Sequence, residues 1–144
     1  MSTIDTGFAP KFAVYRVGDV LSLCLPVGNP GPDGQPVLRP AVVASVSDCL
    51  GETSYELVPA AIDDDLPAHK TDIAARVQGV DGTQTPVLRF ATNLGLKVCA
   101  SAPVLADVRR RTGRLPAQAH AALVSDNARR AASRAAHLAA RQAR

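Results

Sequence analysis

The residue best placed for chemistry is Arg39, which stands at the head of an apolar segment in the stretch QPVLRPAVVASV (35–46). Pro40 keeps the chain before it extended, because a residue that precedes proline avoids the helical region. A guanidinium is always charged and presents a planar fork that matches two phosphate oxygens. Arg39 is therefore either a structural cation at the mouth of a strand or a ligand for a phosphate group, and the residues alone leave both open.

The spacing of the remaining residues does not indicate a metal site or a catalytic nucleophile. His69, His120 and His137 are scattered, and the run DDD (63–65) lacks the alternation of a calcium-binding loop. The sequence also contains no glycine-rich phosphate loop followed by Lys and Ser or Thr, and no GxSxG segment. We therefore predict neither a metal nor a cofactor.

The cysteines and the first residues indicate where the protein works. Cys24, Cys49 and Cys99 are odd in number, far apart and without CxxC spacing, which argues against a disulfide framework or a zinc site. The opening residues MSTIDTGFAPKF have neither a basic start nor an apolar run, and no stretch reaches the roughly eighteen apolar residues of a membrane span. We predict a cytoplasmic protein without a membrane partner, in which each cysteine is a small buried side chain.

Charge is distributed unevenly along the chain. Residues 1–103 carry seven Lys and Arg against eleven Asp and Glu, whereas residues 104–144 carry nine Arg against two Asp. The C-terminal part is therefore expected to meet an anion, which is nucleic acid, an acidic protein or the acidic first part of the chain itself. With three Phe, two Tyr and no Trp, the protein has few of the aromatic side chains on which bases stack.

Hydrophobic patterning predicts a mainly β fold, a small SH3-like antiparallel β-barrel with a C-terminal Ala/Arg-rich α-helix. Short apolar or alternating runs are separated by turn residues, and no segment of helical period lies between them, which favours a closed antiparallel sheet. A proline- and glycine-rich loop (28–36) and an acidic connector (61–72) join these runs. Strands are expected at 17–27, 41–47, 54–60, 73–80 and 85–92, with one or two more in 98–108, broken at Pro103.

The last part of the chain is predicted to be one long helix that begins after Pro116. Residues 117–144 contain twelve Ala and no Gly or Pro, and proline is favoured in the first turn of a helix. One narrow apolar stripe follows helical spacing through Val124, Ala128, Ala131, Ala135 and Leu138. A basic row of Arg130, Arg134, His137, Arg141 and Arg144 lies about a quarter-turn away.

Three interpretations of this helix remain open. It docks on the barrel and its basic row is a solvated face, or the row covers RNA or an acidic partner, or the alanine seam joins two copies. The predicted organisation is an N-terminal extension at 1–14, a β-barrel domain at 15–112, and a GRLP element with the basic helix at 113–144.

Several motifs, in order, resemble the MazF/PemK family of toxin endoribonucleases. Gly18-Asp19 opens a strand, a loop containing PGP follows, and Arg39-Pro40-Ala41-Val42-Val43 opens the next strand. The element Gly113-Arg114-Leu115-Pro116 before a helix is similar to one branch of that family. The resemblance covers roughly residues 15–120 and implies a dimer that cleaves single-stranded RNA without a metal and is restrained by a cognate antitoxin protein.

The resemblance also implies roles for particular residues. Arg39 stands at the family position of the arginine that stabilises charge on the phosphate, and the loop 28–38 would cover the RNA channel, which makes Gln35 a candidate RNA contact. The run Arg109, Arg110 and Arg111 is either a phosphate contact or a solvated rim.

One position departs from the family pattern. The Ser or Thr expected just after Val58-Pro59 is replaced by Ala61, which has no hydroxyl, and Asp63 is the candidate substitute for a catalytic base. The alternative is a catalytically degenerate barrel that acts as a binding or assembly module. A third possibility is a structural protein whose basic helix docks on nucleic acid or on a larger complex.

Overall fold

A computed structural model describes residues 15–49, 51–79, 82, 84–106 and 113–142, and within them the chain forms a seven-stranded antiparallel sheet followed by a long helix. A 3-10 turn spans Thr92–Leu94. The mainly β fold with a C-terminal helix is thereby confirmed. The strands and helices are β1 (Asp19–Cys24), β2 (Leu38–Cys49), β3 (Glu52–Pro59), β4 (Ile73–Gly79), β5 (Gln84–Phe90), β6 (Leu96–Cys99), α1 (Pro103–Ala106), β7 (Gly113–Arg114) and α2 (Ala117–Gln142).

The sheet has the strand order β5-β4-β7-β1-β2-β3-β6, and every neighbouring pair is antiparallel. It curls so that the end of β5 meets the end of β3, where Phe90 and Ala60 form a bridge. The Ala91 amide donates to the Pro59 carbonyl at 2.9 Å on this seam. Such curling hides a sheet edge and produces a small barrel.

The strands β1, β2 and β3 lie at the centre of the sheet, and most of β1, residues 41–44 of β2 and residues 57–59 of β3 are buried on both faces. Val20 and Val42 belong to one apolar cluster, which Leu123 of α2 covers. Leu21 and Val43, their neighbours along the chain, point to the opposite side and belong to a second cluster. Successive residues of a strand point to opposite faces of the sheet, so a strand with a cluster on each face needs consecutive apolar residues. The sequence of β1 has them and predicted a buried strand.

The segment around the third cysteine contains one of the one or two strands that the sequence predicts, but the predicted burial of the cysteines is wrong. The strand there, β6, ends at Cys99, and Pro103 begins the short helix α1 instead of a second strand. Proline suits the first helical position because it has no N–H group to leave unpaired there. Cys24 and Cys99 are exposed rather than buried, since each is the last residue of its strand, while the side chain of Cys49 lies outside the described residues.

The helix α2 packs on the barrel, but not through the predicted apolar stripe. Its buried residues are Ala119, Leu123 and Asp126, whereas Val124 and Leu138 of the stripe are half-exposed. These buried residues lie on one side of the helix because they are four and three positions apart. The stripe therefore faces away from the barrel.

A β-bulge explains why polar residues take part in this docking. The register of β2 against β3 shifts between Val43 and Ser45, so the intervening Ala44 lacks its place in the ladder. The Asn127 side chain of α2 donates to the Ala44 carbonyl at 2.6 Å. Arg130 donates to the Asn127 side-chain oxygen at 2.7 Å and lies 3.4 Å from Glu56 of β3. The helix thus supplies the hydrogen bond that the bulge removes from the sheet.

Candidate functional site

The side chain of Arg39 is fully buried where the Pro/Gly loop meets β2. Its Nη1 donates to the Ala60 carbonyl at 2.9 Å, and its Nη2 donates to the Val27 carbonyl at 2.9 Å. The two nitrogens also donate to the two carboxylate oxygens of Asp65, at 3.2 Å and 2.6 Å. The guanidinium therefore ties the end of β3, the Pro/Gly loop and the acidic connector to the head of β2.

Asp65 is matched to this position by two further hydrogen bonds. Its carboxylate accepts from the Ile62 amide at 2.8 Å and from the Asn29 amide at 3.0 Å. The Arg39 guanidinium, which donates to both oxygens, holds the pKa of the Asp65 carboxyl far below its ordinary range, and the two amides add to the effect. Asp65 is therefore a buried anion at neutral pH, and it fills the fork that a phosphate would enter.

The backbone around this ion pair is tightly constrained. Asp63 and Asp64 both have positive φ angles, 50° and 55°, which place the carboxylate of the next residue, Asp65, under the loop. Gly28 has a φ of 70°, and a Cβ atom there would collide with Asp65 Oδ2 and Arg39 Nη2. Only glycine fits this close approach without displacing the pair.

The predicted site residues do not assemble into one exposed centre. Arg39 is buried against Asp65, whereas Asp63 is exposed on the connector and Gln35 is exposed on the loop. Ala61, at the position of the expected hydroxyl, uses its amide to donate to the Arg89 carbonyl at 2.9 Å. The run Arg109–Arg111 lies outside the described residues. The roles assigned to these residues remain predictions.

Four of the five N–H groups of Arg39 have protein acceptors. The fifth, Nε–H, is buried and has no partner among the residues that the structure describes. A phosphate could reach the fork only by displacing Asp65. The sequence analysis selected Asp63 from the DDD run and missed Asp65. The position of Asp65 in the same run, close to the end of β3, was the only feature of the sequence that could have indicated it.

A second arginine fastens the same acidic connector. Arg89 of β5 donates to Asp72 at 2.7 Å and to the Leu66 carbonyl at 2.7 Å, and its Nη2 lies 3.4 Å from Asp64. The hydrogen bond to Asp72 raises the pKa of Arg89, with a smaller contribution from Asp64. Much of the connector's negative charge is therefore neutralised inside the barrel domain by Arg39 and Arg89.

The two motifs at the ends of the family-like region also meet. Arg114 of β7 forms an ion pair with Asp19 at the start of β1, and the Leu115 amide donates to the Gly18 carbonyl at 2.9 Å. The other oxygen of Asp19 accepts from the Arg16 amide at 2.8 Å, which closes the turn before β1. These contacts hold β7 against β1.

Among the described residues, the end of α2 carries positive charge on an exposed surface. Every side chain from 131 to 142 is exposed. Arg134, His137 and Arg141 continue the face through which Leu123 and Arg130 contact the barrel, because they follow the same spacing of three and four residues. The docking face therefore extends beyond the barrel as a basic row in solvent, with no Asp or Glu after Asp126 in the sequence.

No family model, no curated protein and no solved structure matches this chain in the three comparisons with known proteins. The resemblance to the MazF/PemK family therefore stays a prediction. Within the described part of the chain, no helix has the length and apolar character needed to cross a membrane.

Proposed function

We propose that the protein is a cytoplasmic RNA-binding module, in which a non-catalytic, PemK-like barrel presents the basic row of α2 to single-stranded RNA. The observation that carries the proposal is the extension of this row, Arg134, His137 and Arg141, beyond the barrel. Three arginines of the barrel behave differently, because Arg39, Arg89 and Arg114 are each paired with an internal Asp.

The geometry of the row suits a phosphate chain. Residues three or four apart on a helix rise about 4.5–6 Å along its axis, so the row presents regularly spaced basic side chains on one side. Arginine binds phosphate through two parallel hydrogen bonds and cannot lose its charge. Since the protein has only five aromatic side chains, we expect binding through phosphates, with little sequence preference and a strong dependence on salt.

The absence of catalysis in this proposal rests on Arg39 and Ala61. The Asp65 carboxylate occupies both prongs of the guanidinium, and the residue at the position of the expected hydroxyl is an alanine. An arginine that stabilises a developing phosphorane must be open to the substrate. The buried ion pair favours a structural role for Arg39 instead.

The test is the affinity for a labelled single-stranded RNA of about 20 nucleotides, long enough for a single binding site, measured by fluorescence anisotropy across a salt series. The double variant Arg134→Ala/Arg141→Ala is compared with Arg76→Ala/Lys97→Ala, which removes two exposed cations from β4 and β6. We expect only Arg134→Ala/Arg141→Ala to weaken binding. The plot of log association constant against log salt concentration should also become less steep by about 1.4, because two phosphate contacts are lost. Equal effects of the two variants, or no binding by the wild type at low salt, would contradict the proposal.

A metal-independent endoribonuclease is the second candidate, as the resemblance implies, with a second copy and an antitoxin as its partners. It is favoured by the position of Arg39 at the loop–strand junction, where it already holds a two-oxygen anion. Its test is incubation of the same RNA with EDTA, followed by gel analysis. If the wild type cleaves the RNA and a folded Arg39→Lys variant does not, the protein is a nuclease. If the wild type leaves the RNA intact, the nuclease is excluded and the RNA-binding module is retained.

A further inference from the structure

The apolar stripe of α2 is an exposed surface on the side of the helix that faces away from the barrel. Val124 is 49% exposed and Leu138 is 54% exposed, and Ala128, Ala131 and Ala135 between them are also exposed. Their 4-3-4-3 spacing is that of the seam of a coiled-coil helix. The seam extends over about 21 Å, at 1.5 Å for each residue.

The residues beside this seam limit what can cover it. Arg134 and Arg141 occupy equivalent positions on one flank, where coiled-coil helices carry the charges that select their partners. The other flank carries Ser125, Ala132 and Ala139, whose small side chains permit the close approach of a second helix. The seam is therefore narrow, apolar and positively charged along one side.

A second copy of this chain fits the seam poorly. All charged residues from 127 to 142 are arginines, so pairing two such helices would add like charge without any compensating carboxylate. We infer that the stripe docks an amphipathic helix of another protein, one whose apolar seam is flanked by Glu or Asp that pair with Arg134 and Arg141. This interaction goes beyond RNA binding, and it withdraws two cations of the basic row from RNA.

The test uses a synthetic three-heptad helical peptide with Leu at the seam positions and Glu at the flanks, together with a twin that has Lys in place of each Glu. Binding to the full-length protein is measured by calorimetry. The variant Val124→Ser/Leu138→Ser removes the large apolar side chains of the seam. The matched control, Ala136→Ser/Ala140→Ser, places the same two hydroxyls on a different exposed face of the helix.

We expect the Glu peptide to bind the wild type and the control, and to bind Val124→Ser/Leu138→Ser at least about tenfold more weakly. RNA affinity should be unchanged in that variant, which separates this inference from the proposed function. Equal binding to all three proteins, equal binding of the Lys peptide, or no binding would overturn it. So would a wild-type dimer in sedimentation that the seam variant dissociates, because the occupant would then be a second copy.

Discussion

Arg39 and Asp65 form a buried, two-pronged ion pair, with Nη2 and Oδ2 separated by 2.6 Å and Nη1 and Oδ1 by 3.2 Å. Both side chains are almost entirely removed from solvent. The pair joins the head of β2 to a connector that follows β3. Its removal should therefore affect the stability of the barrel directly.

The first prediction concerns the loss of one partner. In Asp65→Asn the Arg39 cation stays buried without a counter-charge, and we expect the free energy of unfolding to fall by about 3–5 kcal/mol. The control is Asp63→Asn, at an exposed position two residues earlier. The backbone there has a positive φ, which asparagine tolerates well. Urea denaturation at neutral pH measures both, and similar values for the two variants would rule out an important ion pair.

The second prediction is the pH dependence of the same pair. Because the pKa of Asp65 is lowered in the folded protein, the unfolded chain binds the proton more readily. The stability from this group is therefore fully present above the ordinary Asp pKa of about 3.9 and is lost as the pH falls below it. The difference in unfolding free energy between the wild type and Asp65→Asn should be constant from neutral pH to about pH 5 and shrink in more acidic solution. A difference that grows with acidity would contradict this assignment.

The third prediction uses two glycines with similar backbone angles. Gly28 and Gly34 have φ of 70° and 79°, but only at Gly28 would a Cβ collide with the ion pair, since no atom lies within 4 Å of a Cβ at Gly34. Gly34→Ala should cost about 1–2 kcal/mol from its left-handed backbone. Gly28→Ala should cost clearly more, approaching the cost of Asp65→Asn. Thermal unfolding of both variants provides the comparison, and equal costs would show that the loop adjusts freely.

The fourth prediction tests the docking of α2 on the bulge. Asn127→Ala leaves the buried Ala44 carbonyl without its hydrogen bond, which should destabilise the protein by about 1–3 kcal/mol. Ser125→Ala, on the exposed side of the same helix, should be nearly neutral. Denaturation monitored by circular dichroism distinguishes them. A neutral Asn127→Ala would mean that water or another group replaces the amide.

The fifth prediction separates the end of α2 from the fold. Truncation after Arg130 removes only exposed side chains among the described residues, so the unfolding free energy should change by about 0.5 kcal/mol or less. RNA binding should be lost with the basic row. Truncation after Pro116 also removes Leu123, which is fully buried, and should destabilise the barrel by several kcal/mol. An unstable first truncation would show that the end of the helix belongs to the core.

The sequence was sufficient for the strands but not for the contacts of its charged residues. Alternation and turn residues predicted β1 to β5 because both depend on neighbouring positions in the chain. The pairing of Arg39 with Asp65 depends on two consecutive left-handed residues in the connector, which local propensity disfavours. The sequence alone therefore does not distinguish a structural Arg39 from a phosphate ligand.

The face of α2 that docks on the barrel could not be derived from the sequence, for a related reason. The apolar stripe has the more regular hydrophobic pattern, yet the helix docks through Ala119 and Leu123, with Asn127 and Arg130 in contact with the sheet. This face offers Asn127 to the buried carbonyl of Ala44, which loses its place in the ladder at a bulge that the sequence pattern does not reveal. The helix therefore docks by the face that gives the Ala44 carbonyl a hydrogen bond, and the apolar stripe is left in solvent.

The placement of β7 between β4 and β1 has a consequence for the order in which the protein is made. These strands lie far apart in the chain, and Gly113 and Arg114 pair with both of them. While the chain is being synthesised from its N-terminus, β1 and β4 have no strand to join them until these two residues emerge. The hairpins can form early, but closure of the sheet must wait for its last and shortest strand, so a nascent chain that stalls before residue 113 would leave two unpaired strand edges open to aggregation.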